Sequence, residues 1–162
     1  MAVEVIFEDD RWEAAGLEAL ATDAETATLS YLGLDAELCE GSILACDDAR
    51  IKVLNADFRE KDKATNVLSW PAEERATPGE RPPLPEPDFD GSIELGDIAI
   101  AYETCVREAG EQGKSFADHV THLLVHGLLH LLGYDHITDR DAEIMEGTEV
   151  EILATMGLKD PY

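Results

Sequence analysis

The stretch 115–133, SFADHVTHLLVHGLLHLLG, limits the fold more than any other part of the chain. Its Leu and Val residues recur at three- and four-residue spacing, which predicts a helix with a broad apolar face that has to lie in a core. Ser115 and Asp118 are spaced as a capping box at its start, and Gly133 marks its end. A helix this apolar needs a sheet or other helices to cover it, yet it carries His119, His122, His126 and His130.

The remaining sequence supplies that cover. Residues 2–9, AVEVIFED, alternate as a strand, and the spacing of Trp12, Leu17 and Leu20 predicts one amphipathic helix over 12–34. A second strand over 36–46 leads into a helix over 47–58, with Asp47 as its N-cap. A short strand, TNVLSWP, stops at Pro71. Between about 71 and 91 lie six of the seven prolines, so this segment is an excursion loop without regular structure. A strand running into a helix follows over 93–113, and a last helix spans 138–157. Helices mixed with several short strands imply an α+β fold with α/β-like layers, a small mixed sheet covered by helices. At 162 residues and 44% hydrophobic content, residues 1–162 suffice for one domain with its own core.

The charge is lopsided. Twelve basic against thirty-six acidic residues give a formal net charge of −24, which repels polyanions at long range. Yet Arg50, Lys52, Arg59, Lys61 and Lys63 place five of the twelve basic residues within fourteen positions. Such a cluster serves either as a local basic patch or as ordinary solvated helix and loop charge. Cys39, Cys46 and Cys105 form no C-x-x-C pair and read as reduced, buried thiols, which suits the cytoplasm. No apolar run approaches the ~20 residues that span a bilayer, and the first residues lack the pattern of a secretion signal.

The chemistry concentrates in HGLLHLLGYDH, residues 126–136. On a helix, His126 and His130 project from one face about one turn apart. Gly133 then permits a chain reversal, and His136 folds back toward the other two. Three neutral imidazoles suit a borderline ion such as zinc and leave a fourth position open to water, the arrangement of catalytic sites; zinc brings the pKa of its water to about 7. His119 and His122, one turn apart before His126, either touch the substrate or support a ligand from behind or, as the preferred reading, are ordinary helix residues. Asp135 either orients an imidazole or caps the turn.

Two enzyme classes share this spacing. Metzincin peptidases carry H-E-x-x-H-x-x-G-x-x-H, but here Gly127 stands where their general base belongs, so peptide cleavage loses its proton acceptor. Phosphodiester chemistry survives that loss better, because a metal polarises the phosphoryl oxygen and an arginine fork grips the phosphate.

The histidine segment, together with LNADFREKDKATNVLSWP (54–71) and LGDIAI (95–100), resembles the YbeY family of bacterial endoribonucleases, the ribosomal RNA maturation factors. The resemblance runs from the first strand to GLKDPY at 157–162, with the excursion between Trp70 and Ser92 longer than the family's. It implies a metal-dependent endoribonuclease specific for single strands, acting in 3′-end maturation of 16S, small-subunit ribosomal RNA and in ribosome quality control. It implies one zinc ion per chain on His126, His130 and His136, and a functionally important arginine at Arg59. That arginine would hold the RNA phosphate opposite the zinc, with Lys61 and Lys63 as weaker backbone contacts. The bland role for Arg59 is a salt bridge to one of the many acids. A further reading is a metal-stabilised module that binds ribosomal proteins or an assembly GTPase with little intrinsic cleavage, for which the acidic surface is suited.

Overall fold

The computed structural model describes residues 3–61 and 63–162. Ala2, at the head of the expected first strand, lies outside the described residues. Four strands form one mixed sheet in the order β1 (Val3–Phe7), β2 (Cys39–Cys46), β4 (Ile93–Ala101), β3 (Val67–Pro71). The first three run parallel, and β3 pairs antiparallel with β4 at the edge. Among the described residues there are six helices: α1 (Asp10–Ala14), α2 (Leu17–Leu32), α3 (Asp48–Arg59), α4 (Tyr102–Gln112), α5 (Phe116–Leu131) and α6 (Asp139–Thr155). The α+β class with a small mixed sheet holds.

The alternation of side chains along a strand explains how the layers differ. On β4, Ile98 and Ile100 face the main core, where α2, α5 and α6 contribute Leu29, Leu124, Leu128, Met145 and Ile152. Ala99 and Ala101 face the other way, into a small core with Cys46, Ile51 and Leu68 beneath α3. Bulky residues thus line the face that carries several helices, and small ones the face that carries α3. All three cysteines are buried free thiols.

Helix ends follow their capping residues. The side chains of Asp47, Ser115 and Thr138 accept the backbone N–H of Arg50, Asp118 and Asp141, starting α3, α5 and α6. One expectation needs correction: the helix over 12–34 is two helices. Gly16 takes φ +77°, a left-handed conformation that ends the short α1 and reorients the chain into α2. Trp12 and Leu17, on either side of the break, are both fully buried, so hydrophobic spacing alone did not reveal it.

Residues 72–92 contain no helix or strand, in keeping with their prolines. Their first part is nevertheless pinned. The Arg75 guanidinium donates to the carbonyl of Leu131 at 2.9 Å and to that of Glu94 at 2.7 Å, bridging the end of α5 and β4. The Gly79 N–H donates to Asp141 at 2.7 Å on α6.

Candidate metal centre

Helix α5 sinks its Leu and Val face into the core and leaves His126 and His130 half-buried at the rim. Their Nε2 atoms lie 3.1 Å apart. At Gly133, φ is +104°, and a Cβ there would sit 2.7 Å from the Arg75 carbonyl oxygen, so only glycine turns the chain this closely under the excursion loop. After that turn, the exposed His136 brings its ring centroid within 5.5 Å of His126 and 5.1 Å of His130. One ligand atom from each of the three imidazoles lies within 4.8 Å of the other two.

The rings are oriented from behind. His130 Nδ1–H donates to the Tyr134 carbonyl at 2.9 Å, a bond that the Gly133 turn makes possible, so its Nε2 lone pair faces the other rings. Burial, then the charges of His126 and His136, push the His130 pKa down to about 4, which keeps that lone pair free at neutral pH. His126 Nδ1 bonds to Glu149, a fully buried carboxylate on α6. The other Glu149 oxygen faces His122 Nε2 at 3.2 Å and accepts from the Tyr162 hydroxyl. Burial alone raises this carboxyl, but the hydrogen bonds from His122 and His126, helped by Tyr162, reverse it and hold the pKa at about 2. Glu149 is therefore an anion clamped between donors.

These observations suit a divalent ion. Two nitrogens bound tetrahedrally to zinc at ~2.05 Å stand roughly 3.3 Å apart, close to the separation seen between His126 and His130. Back-bonding of a ligand imidazole to a carboxylate or carbonyl is the usual support for such a site.

A cavity of about 330 Å³ opens beside the cluster, lined by His130, His136, Tyr134, Asp135, Ser69 and Arg59, among others. Arg59, the last residue of α3, is exposed and forms no ion pair among the described residues. Its charge also acts on His130 from across the cavity. Lys61 and Lys63 are exposed beyond this lining. A Cβ at Gly127 would meet Ile98 Cδ1 at 3.0 Å and Ser69 Oγ at 3.3 Å. Position 127 packs on the sheet, and any side chain there would press on Ile98 and Ser69.

Of the other candidates, His119 is buried and bonds Glu108 at 3.0 Å, joining α5 to α4 away from the cluster. Asp135 accepts the Ile137 N–H at 3.3 Å and closes its own turn. The carboxylate that orients an imidazole is Glu149. Sequence reasoning missed it, although a signal existed: it stands in the stripe Met145, Thr148, Glu149, Ile152 that α6 buries, where an acid has to be partnered.

Comparison with known proteins bears on the whole chain. Residues 4–157 match the family model described as endoribonuclease YbeY. The chain belongs to the YbeY family. A YbeY endoribonuclease of Ruegeria pomeroyi is 62% identical, with 100% of this chain and 98% of that protein aligned. One from Cereibacter sphaeroides is 58% identical over 99% and 98%, and one from Rhodopseudomonas palustris 44% over 99% and 81%. A solution structure of a Thermotoga maritima protein superposes with a TM-score of 0.53 at 22% identity, over 96% of this chain and 91% of that one, a likeness of fold. Among the described residues of this YbeY relative, no helix is long and apolar enough to cross a membrane.

Proposed function

We propose that this protein is a zinc-dependent endoribonuclease that cuts single-stranded RNA, acting in the cytoplasm on the 3′ end of 16S ribosomal RNA and in ribosome quality control. One observation carries the reading: three imidazoles converge, and two of them, His130 and His136, line one cavity with Arg59, which forms no ion pair among the described residues, in a chain otherwise crowded with acids. The curated relatives bear the name endoribonuclease.

In this reading His126, His130 and His136 hold one zinc ion. When bound, such an ion polarises a phosphoryl oxygen and makes water available as a nucleophile near neutral pH. The chain's own groups do the rest. Arg59 offers its planar fork to two phosphate oxygens and offsets the charge that grows on them. Glu149 and the Tyr134 carbonyl hold two imidazoles in one tautomer and orientation. Peptide cleavage finds no support, because position 127 faces Ile98 and Ser69. The acidic surface, with its formal charge of −24, supports the further proposal that ribosomal proteins and an assembly GTPase are partners.

Cleavage of a single-stranded RNA at moderate salt, by wild type and Arg59→Ala side by side, tests the proposal. Losing a charge-assisted contact to phosphate is worth roughly 1.5–3 kcal/mol, so the variant should cut about ten- to a hundred-fold more slowly. Equal rates would remove Arg59 from the mechanism, and an inert, zinc-loaded wild type would leave only a binding role.

A further inference from the structure

Single-stranded RNA is usually gripped by aromatic rings as well as by cations. Of the ten aromatic residues, none lies in the lining of the cavity except Tyr134. Immediately beside the cavity, however, Phe58 precedes Arg59 in the last turn of α3 and is 62% exposed. Its ring stands 5.3 Å from that of Trp70 at 73°, edge against face. Trp70 is half-buried against the small core and props the phenyl ring from below.

Resting on the endoribonuclease reading, we propose that Phe58, backed by Trp70, is a stacking platform for a nucleobase of single-stranded RNA, adjoining the Arg59 cavity around the edge strand β3. Alternation along β3 sets the layout. Ser69 and Pro71 line the cavity, while Trp70 between them faces α3 on the opposite side of the sheet. A strand whose phosphate meets Arg59 and which leaves across the sheet edge therefore arrives at Phe58.

Charge selects the occupant. Arg59, Lys61 and Lys63 follow Phe58 within five residues of sequence and form no ion pair among the described residues, whereas the chain as a whole repels a polyanion. An exposed apolar ring next in sequence to a run of cations matches how single strands are bound without sequence preference, by backbone attraction and base stacking together.

The test compares two short fluorescent 2′-O-methyl strands of equal length, one with all bases and one abasic, against zinc-loaded wild type, Phe58→Ala, Phe58→Leu and Phe58→Trp. Phe58→Ala and Phe58→Leu should bind the base-bearing strand about tenfold more weakly, within the range for loss of one stacked base. They should bind the abasic strand as wild type does, and Phe58→Trp should restore the loss. The base-bearing strand should also change the emission of Trp70, a signal absent in Trp70→Phe, because the other tryptophan, Trp12, is fully buried. Equal losses on both strands, or none on either, would overturn the platform, the second result leaving the ring for a protein partner. If wild type bound neither strand, the endoribonuclease reading itself would fall. If wild type cut RNA and Phe58→Ala bound it undiminished, only the platform would.

Discussion

The two walls of the cavity are built in opposite ways. On the α5 side, two of the three imidazoles are fixed from behind, His130 by the Tyr134 carbonyl and His126 by the buried Glu149. On the α3 side, Arg59 ends its helix in solvent, followed by Glu60 in a left-handed conformation, and pairs with no carboxylate among the described residues. A wall meant for an ion has to keep its donors at set separations, and orienting bonds cost less than rearranging rings upon binding. A wall meant for a flexible strand gains from a cation left free to find its phosphate. The contrast teaches that rigidity here follows the expected ligand, not depth alone.

The comparison breaks most easily at the histidines. His126→Ala or His130→Ala should lose most of the zinc that wild type retains, because two imidazoles remain; elemental analysis showing about one zinc per chain in these variants would dissolve the ligand set. A smaller effect is expected at Glu149→Gln, which keeps the size of the side chain but not its charge. Zinc affinity measured by chelator competition should fall roughly tenfold, the lower end for an orienting partner. Arg59→Ala sharpens the contrast, since it should change neither zinc affinity nor, beyond ~0.5 kcal/mol, stability in a denaturant titration. The least change is expected at the thiols, which belong to neither wall. Burial pushes Cys39 up to about 11 and Cys46 up to about 12, and Cys105 higher still. Native protein at pH 8 should therefore resist iodoacetamide, and all three thiols should react once it is unfolded. Because the folded values lie above the free value of 9.0, this contribution to stability is complete below 9.0 and fades as pH climbs through 11 to 12.

Much of this was legible in the sequence because it is local. Spacing of four on a helix puts His126 beside His130, and a glycine three residues on lets the chain return, both properties of a few consecutive residues. The strands showed through their alternation, and two helix starts through Asp47 and Ser115. What escaped depends on distant parts meeting. Glu149 reaches His126 across twenty-three residues, and Arg75 reaches Leu131 across fifty-six. Strand order is likewise a matter of tertiary pairing. Gly16 escaped for a different reason: both sides of the break bury their apolar residues, so the pattern runs on through it.

The staples that Arg75 and Gly79 make at the front of the proline-rich excursion have their counterpart at its rear. There Asp88 N–H donates to the Ser92 carbonyl at 2.7 Å and Ile93 N–H to that of Leu38 at 2.7 Å. Between these anchorages, residues 80–87 form a length of chain whose extension or trimming changes loop closure by only about 0.6 kcal/mol per doubling. Evolution can lengthen this stretch, and an engineer can splice an epitope or a fluorophore into it, while the anchorages at Arg75 and Gly79 hold the chain beside the cavity in place.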